Sequence, residues 1–420
     1  HKGIMINSYR CASMDYLDIP LLQAAFTIRQ GLVDDSLWPT VKKAIQQIAA
    51  VQIDTISVVS RSHHLTLRNR VQNYQSAQLW DSLRNREIFE HSAHAWCFVP
   101  IEEYPYYRYR MKRFSTHCNS WAKQLLKKHN KLMDAVENRI RNEGALSSKD
   151  FEDPTGKKRT GFWDLKPAKI ALNLLLSTGR LAVADRQGFQ IIHDLAERVI
   201  PSQYLDQHIE QDQIWRYFLK RNLDCLVVAT AQDLTDYITF GNFALDIEGN
   251  RIRTVEMKLR ILEQEDLVMK VEIPKMKRQH YILTSNKEFI EKVQDYRHSS
   301  SHVWFLNPFD NVLWNRDRVE RVFGVEIKLE AFTPKAQRKF GYYVTPILWQ
   351  HRIIGRIDPK VDRANNTLIL RNIELFVRKN EIPEVIEPLQ QELNRFKSFH
   401  SVENLQIEKA KPEKLKTILC

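Results

Sequence analysis

Gln52 and Asp54, in the tetrapeptide Val51-Gln52-Ile53-Asp54, are the residues whose types and spacing best suit chemistry. In an extended segment, side chains two apart share a face. Val51 and Ile53 then anchor inward, while the Gln52 amide and the Asp54 carboxylate project side by side. A carboxylate stabilises a developing cation by its charge and accepts a proton from water. A neighbouring amide can hold that water or a substrate oxygen. The same alternation is ordinary in strands that do nothing catalytic, so the surroundings must decide.

The elements around the motif follow from periodicity. Residues 21–50 read as two helices. In the second, Leu37, Val41, Ala44, Ile45 and Ile48 keep the three-and-four spacing of an amphipathic helix, with Asp34, Asp35 or Ser36 as cap and Pro39 in the first turn. Another helix is expected over 77–84. Between 145 and 215 the pattern is a helix over 166–177, a Thr178-Gly179 stop, and strands over 181–184 and 189–192. Helix, stop, strand, turn, strand is the sequence shape of a winged helix. It recurs over 211–284, with helices at 211–221, 232–238 and 254–265 and strands at 267–273 and 279–283. Beyond 300, strands are expected at 342–349, 352–358 and 367–370, then a helix at 384–396. The fold class is α+β: tandem winged-helix (helix-turn-helix) domains with a C-terminal, mostly β domain.

The chain carries 63 Lys and Arg against 51 Asp and Glu, a formal charge of +12. Such an excess suits a polyanionic partner, because cations that neutralise phosphates release counterions; a basic surface that binds nothing is the alternative. Three acid-poor runs concentrate the charge. One spans Thr55 to Trp80, with Arg61, His63, His64, Arg68 and Arg70. Another spans Tyr104 to Met133, where cations from Arg108 to Lys131 alternate with tyrosines that suit either a nucleic-acid surface or a core. The third holds Lys157, Lys158, Arg159, Lys166 and Lys169, just before and within the expected recognition helix of the second block, whose free N–H groups favour phosphate. A basic turn with Lys275, Lys277 and Arg278 either probes a groove or is a solvated turn. His63 and His64 are adjacent and cannot share a strand face, so each is a phosphate contact or a packed residue rather than a metal ligand.

Five cysteines stand far apart with no C-x-x-C pair, which argues against a disulfide framework or a zinc or iron–sulfur site and for free thiols in a reducing cytoplasm. No metal is expected: His91 and His94 lack a third ligand, and His351 stands alone. Asp310 and Asp317 read as structural acids. No signal peptide or membrane-spanning run is expected, and there is no P-loop, dinucleotide fingerprint or nucleophile elbow.

Around Gln52-Ile53-Asp54 the chain resembles the winged-helix DNA glycosylases of the AlkZ and YcaQ (AlkX) type, bacterial enzymes that excise N-alkylated purines and unhook interstrand crosslinks. The likeness continues through Phe162-Trp163-Asp164-Leu165-Lys166-Pro167, Leu306-Asn307-Pro308-Phe309-Asp310-Asn311, Phe340-Gly341-Tyr342-Tyr343-Val344 and Gly355-Arg356-Ile357-Asp358, roughly over residues 20–400. The family motif is Gln, an aliphatic residue, then Gln or Asp, so Gln52 and Asp54 place the chain in the Asp branch. The resemblance implies three winged helices and a C-terminal β-domain, here over 1–130 with the catalytic motif, 131–208, 209–299, and 300–420 with a closing helix. It implies a monofunctional DNA glycosylase acting on N7-alkylguanine and crosslinks in double-stranded DNA, with Gln52 and Asp54 catalytic and no cofactor. A cytoplasmic, nucleoid-associated monomer is expected. The alternative is a non-catalytic winged-helix transcription regulator or a repair scaffold.

Overall fold

The computed structural model describes residues 16–33, 37–117, 120–151, 167–238, 251–296 and 301–419. One device recurs three times along the chain. A helix stops at a residue with positive φ, a two-residue strand follows, and that strand later becomes the edge of a three-stranded antiparallel sheet. The helices Val41–Ile48, Ser120–Glu143 and Gln211–Leu226 stop at Ala49, Gly144 and Val227, whose φ angles are 70°, 91° and 62°. The strands Val51–Gln52, Leu146–Ser147 and Val228–Ala229 follow. Each pairs with the second strand of a later hairpin: Ile88–Ser92 with Trp96–Pro100, Leu181–Gln187 with Gln190–Leu195, and Val268–Val271 with His280–Leu283. Glycine enters the positive-φ region freely, whereas Ala49 and Val227 accept about 1–2 kcal/mol each. Helices sit between the short strand and the hairpin in every repeat: Ser62–Arg68 and Ser76–Arg84, then Pro167–Ser177, then Ala231–Asp236 and Arg251–Gln264. These are tandem winged helices.

The C-terminal region is an open sheet. Val303–Phe305, Thr345–Trp349, Arg352–Asp362 and Thr367–Leu375 pair antiparallel in that order, and Asn404–Ile407 and Ala410–Lys411 add in parallel to the last of them. The helix Ile382–Phe399 lays Val385, Leu389, Leu393 and Phe396 on the sheet, the three-and-four spacing of an apolar stripe.

Two boundaries differ from the sequence expectation. The helix before the motif begins at Val41, because Thr40 supplies the cap: its hydroxyl accepts from the Lys43 N–H at 3.1 Å. Leu37 and Pro39 therefore precede the helix, and Asp34, Asp35 and Ser36 lie outside the described residues. The helix Ser120–Glu143 also runs straight through residue 130, where the first block was expected to end.

Candidate active site

The motif lies on the seam between two cores. Val51 and Ile53 are buried with Ile45, Ile48 and Phe98 of the first winged helix. A few residues on, Ile56, Val58 and Val59 pack with Tyr343, Ile357 and Val361 of the C-terminal sheet. Val51 opposes Phe98 and Gln52 opposes Cys97 in the sheet, and the Ile53 N–H donates to the Trp96 carbonyl at 2.8 Å. The pairing sends Val51 and Ile53 inward, leaving Gln52 and Asp54 half-buried at the surface. Burying a side chain such as Val51 stabilises this register by about 1.5–3 kcal/mol, and a one-residue slip would exchange the two faces.

Every side of the segment is held. Asp54 Oδ1 accepts the Ile56 N–H at 2.8 Å, an Asx turn that breaks the strand. Oδ2 has no hydrogen-bond partner among the described residues. Ser62 Oγ donates to the Gln52 carbonyl at 3.1 Å, and Arg363 Nη2 donates to the Val59 carbonyl at 3.0 Å. From behind, Asn311 Nδ2 donates to the carbonyls of Ile48 and Ala50 at 3.1 and 2.9 Å. Arg61 Nη1 donates to the Thr55 carbonyl at 3.2 Å while its guanidinium lies 3.6 Å over the Phe189 ring. Phe189 stands at the tip of the second hairpin. That hairpin is locked to the first winged helix by Arg186, which grips Glu90 through bonds of 2.5 and 2.6 Å.

Two groups share the electric field of Asp54. Burial and the neighbouring Arg186 lower the Arg61 pKa, while the Asp54 carboxylate opposes them. Burial and the same carboxylate raise the Tyr343 phenol well above its ordinary value, so it stays protonated. Tyr343 is fully buried, and its hydroxyl has no hydrogen-bond partner among the described residues. A carboxylate, with an amide two residues before it, thus lies in the electrostatic range of a half-buried guanidinium and a buried phenol. Such a set can oppose a cation and orient a water molecule.

Several residues expected to face phosphate do not. Arg70 is fully buried: its Nη1 and Nη2 each lie 2.8 Å from a carboxylate oxygen of Asp310, and it also donates to the Gln30 and Thr66 carbonyls. Arg68 is nearly buried and pairs with Glu392 at 2.8 Å. His63 is wedged among Trp80, Phe98 and Phe189, and burial drives its pKa far below the ordinary value, so it carries no charge for phosphate. His64 shares a 2.7 Å hydrogen bond with the Tyr74 hydroxyl, and burial pulls its pKa down to about 4. All four are internal because the helix Ser62–Arg68 and the turn after it lie between the rest of the first winged helix and the C-terminal sheet. Asp310 is structural, as expected.

Other expected cations do reach the surface. Lys169, Lys277 and Arg278 are exposed, Lys169 on the helix Pro167–Ser177 and the other two at the tip of the third hairpin. Lys157, Lys158, Arg159 and Lys166 lie outside the described residues. In the run after Tyr104, Tyr104 and Tyr107 are buried and Tyr106 stacks on Tyr217, while Lys112, Lys127, Lys128 and Lys131 are exposed. These rings build core and these lysines face water, whereas Arg110 is largely buried, which lowers its pKa to about 10. No group of three or more potential metal ligands occurs among the described residues.

A family profile described as DNA glycosylase AlkZ-like matches residues 45–399, from the helix before the motif to the closing helix. The chain belongs to this family. It is therefore a DNA glycosylase of DNA repair. The fold agrees: the Streptomyces sahachiroi DNA glycosylase AlkZ is similar with a TM-score of 0.62 at 14% identity, over 94% of this chain and 100% of that one. Within the described residues of this AlkZ-like chain, no helix is long and apolar enough to cross a membrane.

Sequence reasoning missed Tyr343, Phe189, Arg363 and Asn311 around the motif. Tyr343 and Asn311 stood inside segments quoted for the resemblance and were given no role. It also passed over residues 331–357, which contain Lys335, Arg338, Lys339, Arg352 and Arg356 and no acid. The criterion that singled out the other basic runs would have found this one.

Proposed function

We propose that this glycosylase hydrolyses the N-glycosidic bond of N-alkylated purines, N7-alkylguanine above all, and unhooks interstrand crosslinks in duplex DNA. Asp54 and Gln52 are its catalytic residues. The observation that carries this reading is the side-by-side projection of the two side chains, with Asp54 Oδ1 tied to Ile56 N–H and Oδ2 left available. An N7-alkylated guanine is already cationic, so its glycosidic bond breaks with little acid assistance. What remains is to stabilise an oxocarbenium-like sugar and deliver water. Asp54 opposes the sugar's charge and takes the water's proton, and Gln52 holds the water, one half of the paired-carboxylate logic of glycoside hydrolysis. No lysine stands in the motif, so no Schiff base forms and the enzyme is monofunctional. A crosslinked base is tethered to both strands and cannot rotate into an enclosed pocket; a motif at a surface seam suits that substrate. The enzyme works as a monomer on nucleoid DNA, without metal or organic cofactor.

Single-turnover base release from duplexes carrying one N7-methylguanine or one nitrogen-mustard crosslink tests the proposal. Asp54→Ala should slow release by about 10²–10³-fold, the size of losing one preorganised electrostatic group, while still binding DNA. Gln52→Ala should slow it less. Tight binding by the wild type with no base released from either duplex would leave a DNA-binding regulator or scaffold.

A further inference from the structure

The loop that follows Glu330 takes no part in the site described above, yet it is built with care. The Glu330 carboxylate is 5% exposed and accepts the backbone N–H groups of Lys339, Phe340 and Gly341 at 2.9, 2.7 and 3.1 Å. Across the neck, Arg338 Nε donates to the Thr333 carbonyl at 2.8 Å. A loop fastened in this way holds its tip in place before any ligand arrives. Phe332, in the turn that opens the loop, leaves 83% of its surface in water. A fixed loop that offers a bare aromatic ring to solvent gains nothing in stability from it.

Beneath the loop lies a groove of about 960 Å³, walled by the loop, by the strands Arg352–Asp362 and Thr367–Leu375, and by Ser57 and Val58. Six cations line it: Lys335, Arg338, Lys339, Lys360, Arg371 and Lys409. Only Asp358 and Glu408 oppose them. Asp358 is already engaged, accepting the Tyr342 and Tyr343 N–H groups at 3.0 Å each with Arg371 3.9 Å away. Lys335, Lys360 and Lys409 are exposed and make no ion pair among the described residues. Ser57 stands three residues after Asp54, so the groove begins within about 10 Å of it along the chain, roughly three base steps of a strand.

A positive groove fits a phosphodiester strand, with phosphates on the cations, and an exposed ring on the loop that walls it can add an apolar contact. We infer that this groove carries the backbone of the DNA strand leaving the Gln52–Asp54 motif, and that Phe332, on the loop that walls the groove, packs against the bound DNA. The inference rests on the glycosylase reading of that motif. It makes the C-terminal sheet a nucleic-acid surface and places the motif between two DNA-gripping bodies rather than at the end of one.

The test uses the full chain and two exposed sites, Lys335→Glu combined with Lys360→Glu, and separately Phe332→Ala and Phe332→Trp. Binding to undamaged duplex is followed against salt, and single-turnover base release from N7-methylguanine duplex is measured in parallel. Each lost phosphate contact flattens the log–log salt slope by about 0.9, so the lysine pair should flatten it by roughly 1.8. Phe332→Ala should weaken binding about fivefold or more with the slope unchanged, because an apolar contact releases no counterions, and Phe332→Trp should restore it. Wild-type slope and affinity in both the lysine pair and Phe332→Ala would overturn the inference while base release keeps the glycosylase reading standing. A flattened slope with no base released by the wild type would keep the groove as a DNA site and remove the catalytic reading.

Discussion

Arg70 offers the sharpest contrast between a residue read by its charge and the same residue in its place. Its guanidinium and the Asp310 carboxylate are both fully buried and meet through two bonds of 2.8 Å. Replacing Asp310 by Ala removes two charge-assisted bonds and strands a cation without water. Breaking one side of a buried pair costs about 3–5 kcal/mol. For folding units of 150–250 residues each kcal/mol moves the melting temperature by about 2–4 °C, so Asp310→Ala should melt roughly 6–20 °C lower. Replacing both partners by apolar residues, Arg70→Met with Asp310→Leu, removes the stranded charge and should recover much of that loss. Thermal unfolding by circular dichroism reads both variants, and salt-dependent duplex binding well below the lowered transition reads function. There Arg70→Met should keep the wild-type salt slope, because Arg70 never meets phosphate. Wild-type melting of Asp310→Ala, or a double variant no more stable than the single one, would refute the reasoning. A slope flatter by about 0.9 in folded Arg70→Met would return Arg70 to the DNA surface.

Two further outcomes follow from the site and its supports. Phe189→Ala removes the ring on which the Arg61 guanidinium lies at 3.6 Å. A partly desolvated cation–π contact is worth about 1–2 kcal/mol, so single-turnover base release should slow by roughly 5- to 30-fold, and an unchanged rate would mean that the Thr55 carbonyl alone holds Arg61. The buried histidines set a pH limit. Burial lowers His64, His193 and His400 each to about 4, so between that value and the ordinary 6.5 the unfolded chain binds more protons than the folded one. Their stabilisation is complete above pH 6.5 and is lost as pH falls toward 4, by about 1.4 kcal/mol per unit for each histidine. Melting temperature should be level from pH 8 to 7 and drop steadily from 6.5 to 4.5; a level profile down to pH 5 would contradict the buried neutral rings.

Much of the architecture was legible where periodicity was strong. The helix expected over 211–221, which runs on to Leu226, the Thr178-Gly179 stop and the strands around the Gly188 turn all appear near their expected positions. Each rests on local rules: helix period, a turn residue, alternation. The helix Ser62–Arg68 was not foreseen, because its His-His and Arg residues read as surface while six of its seven residues are buried. Arg68 pairs with Glu392 and Thr66 accepts from Asn307, and a charge looks the same in sequence whether it faces water or a carboxylate 324 residues away. The positive φ at Ala49 and Val227 was equally hidden, since neither residue type announces it.

The Gln52–Asp54 pair divides along the same line. Sequence alone determined that Val51 and Ile53 face one way and Gln52 and Asp54 the other, because a strand's side chains alternate with period two and the apolar pair must be buried. Only the tertiary structure decided what surrounds the carboxylate. Arg61 lies in its field with Phe189 of the second hairpin against the guanidinium, and Tyr343 does so because the C-terminal sheet buries a phenol against the same segment. Those neighbours depend on packing between units far apart in the chain, where no local periodicity operates and only shape and the pairing of buried charge choose the partner.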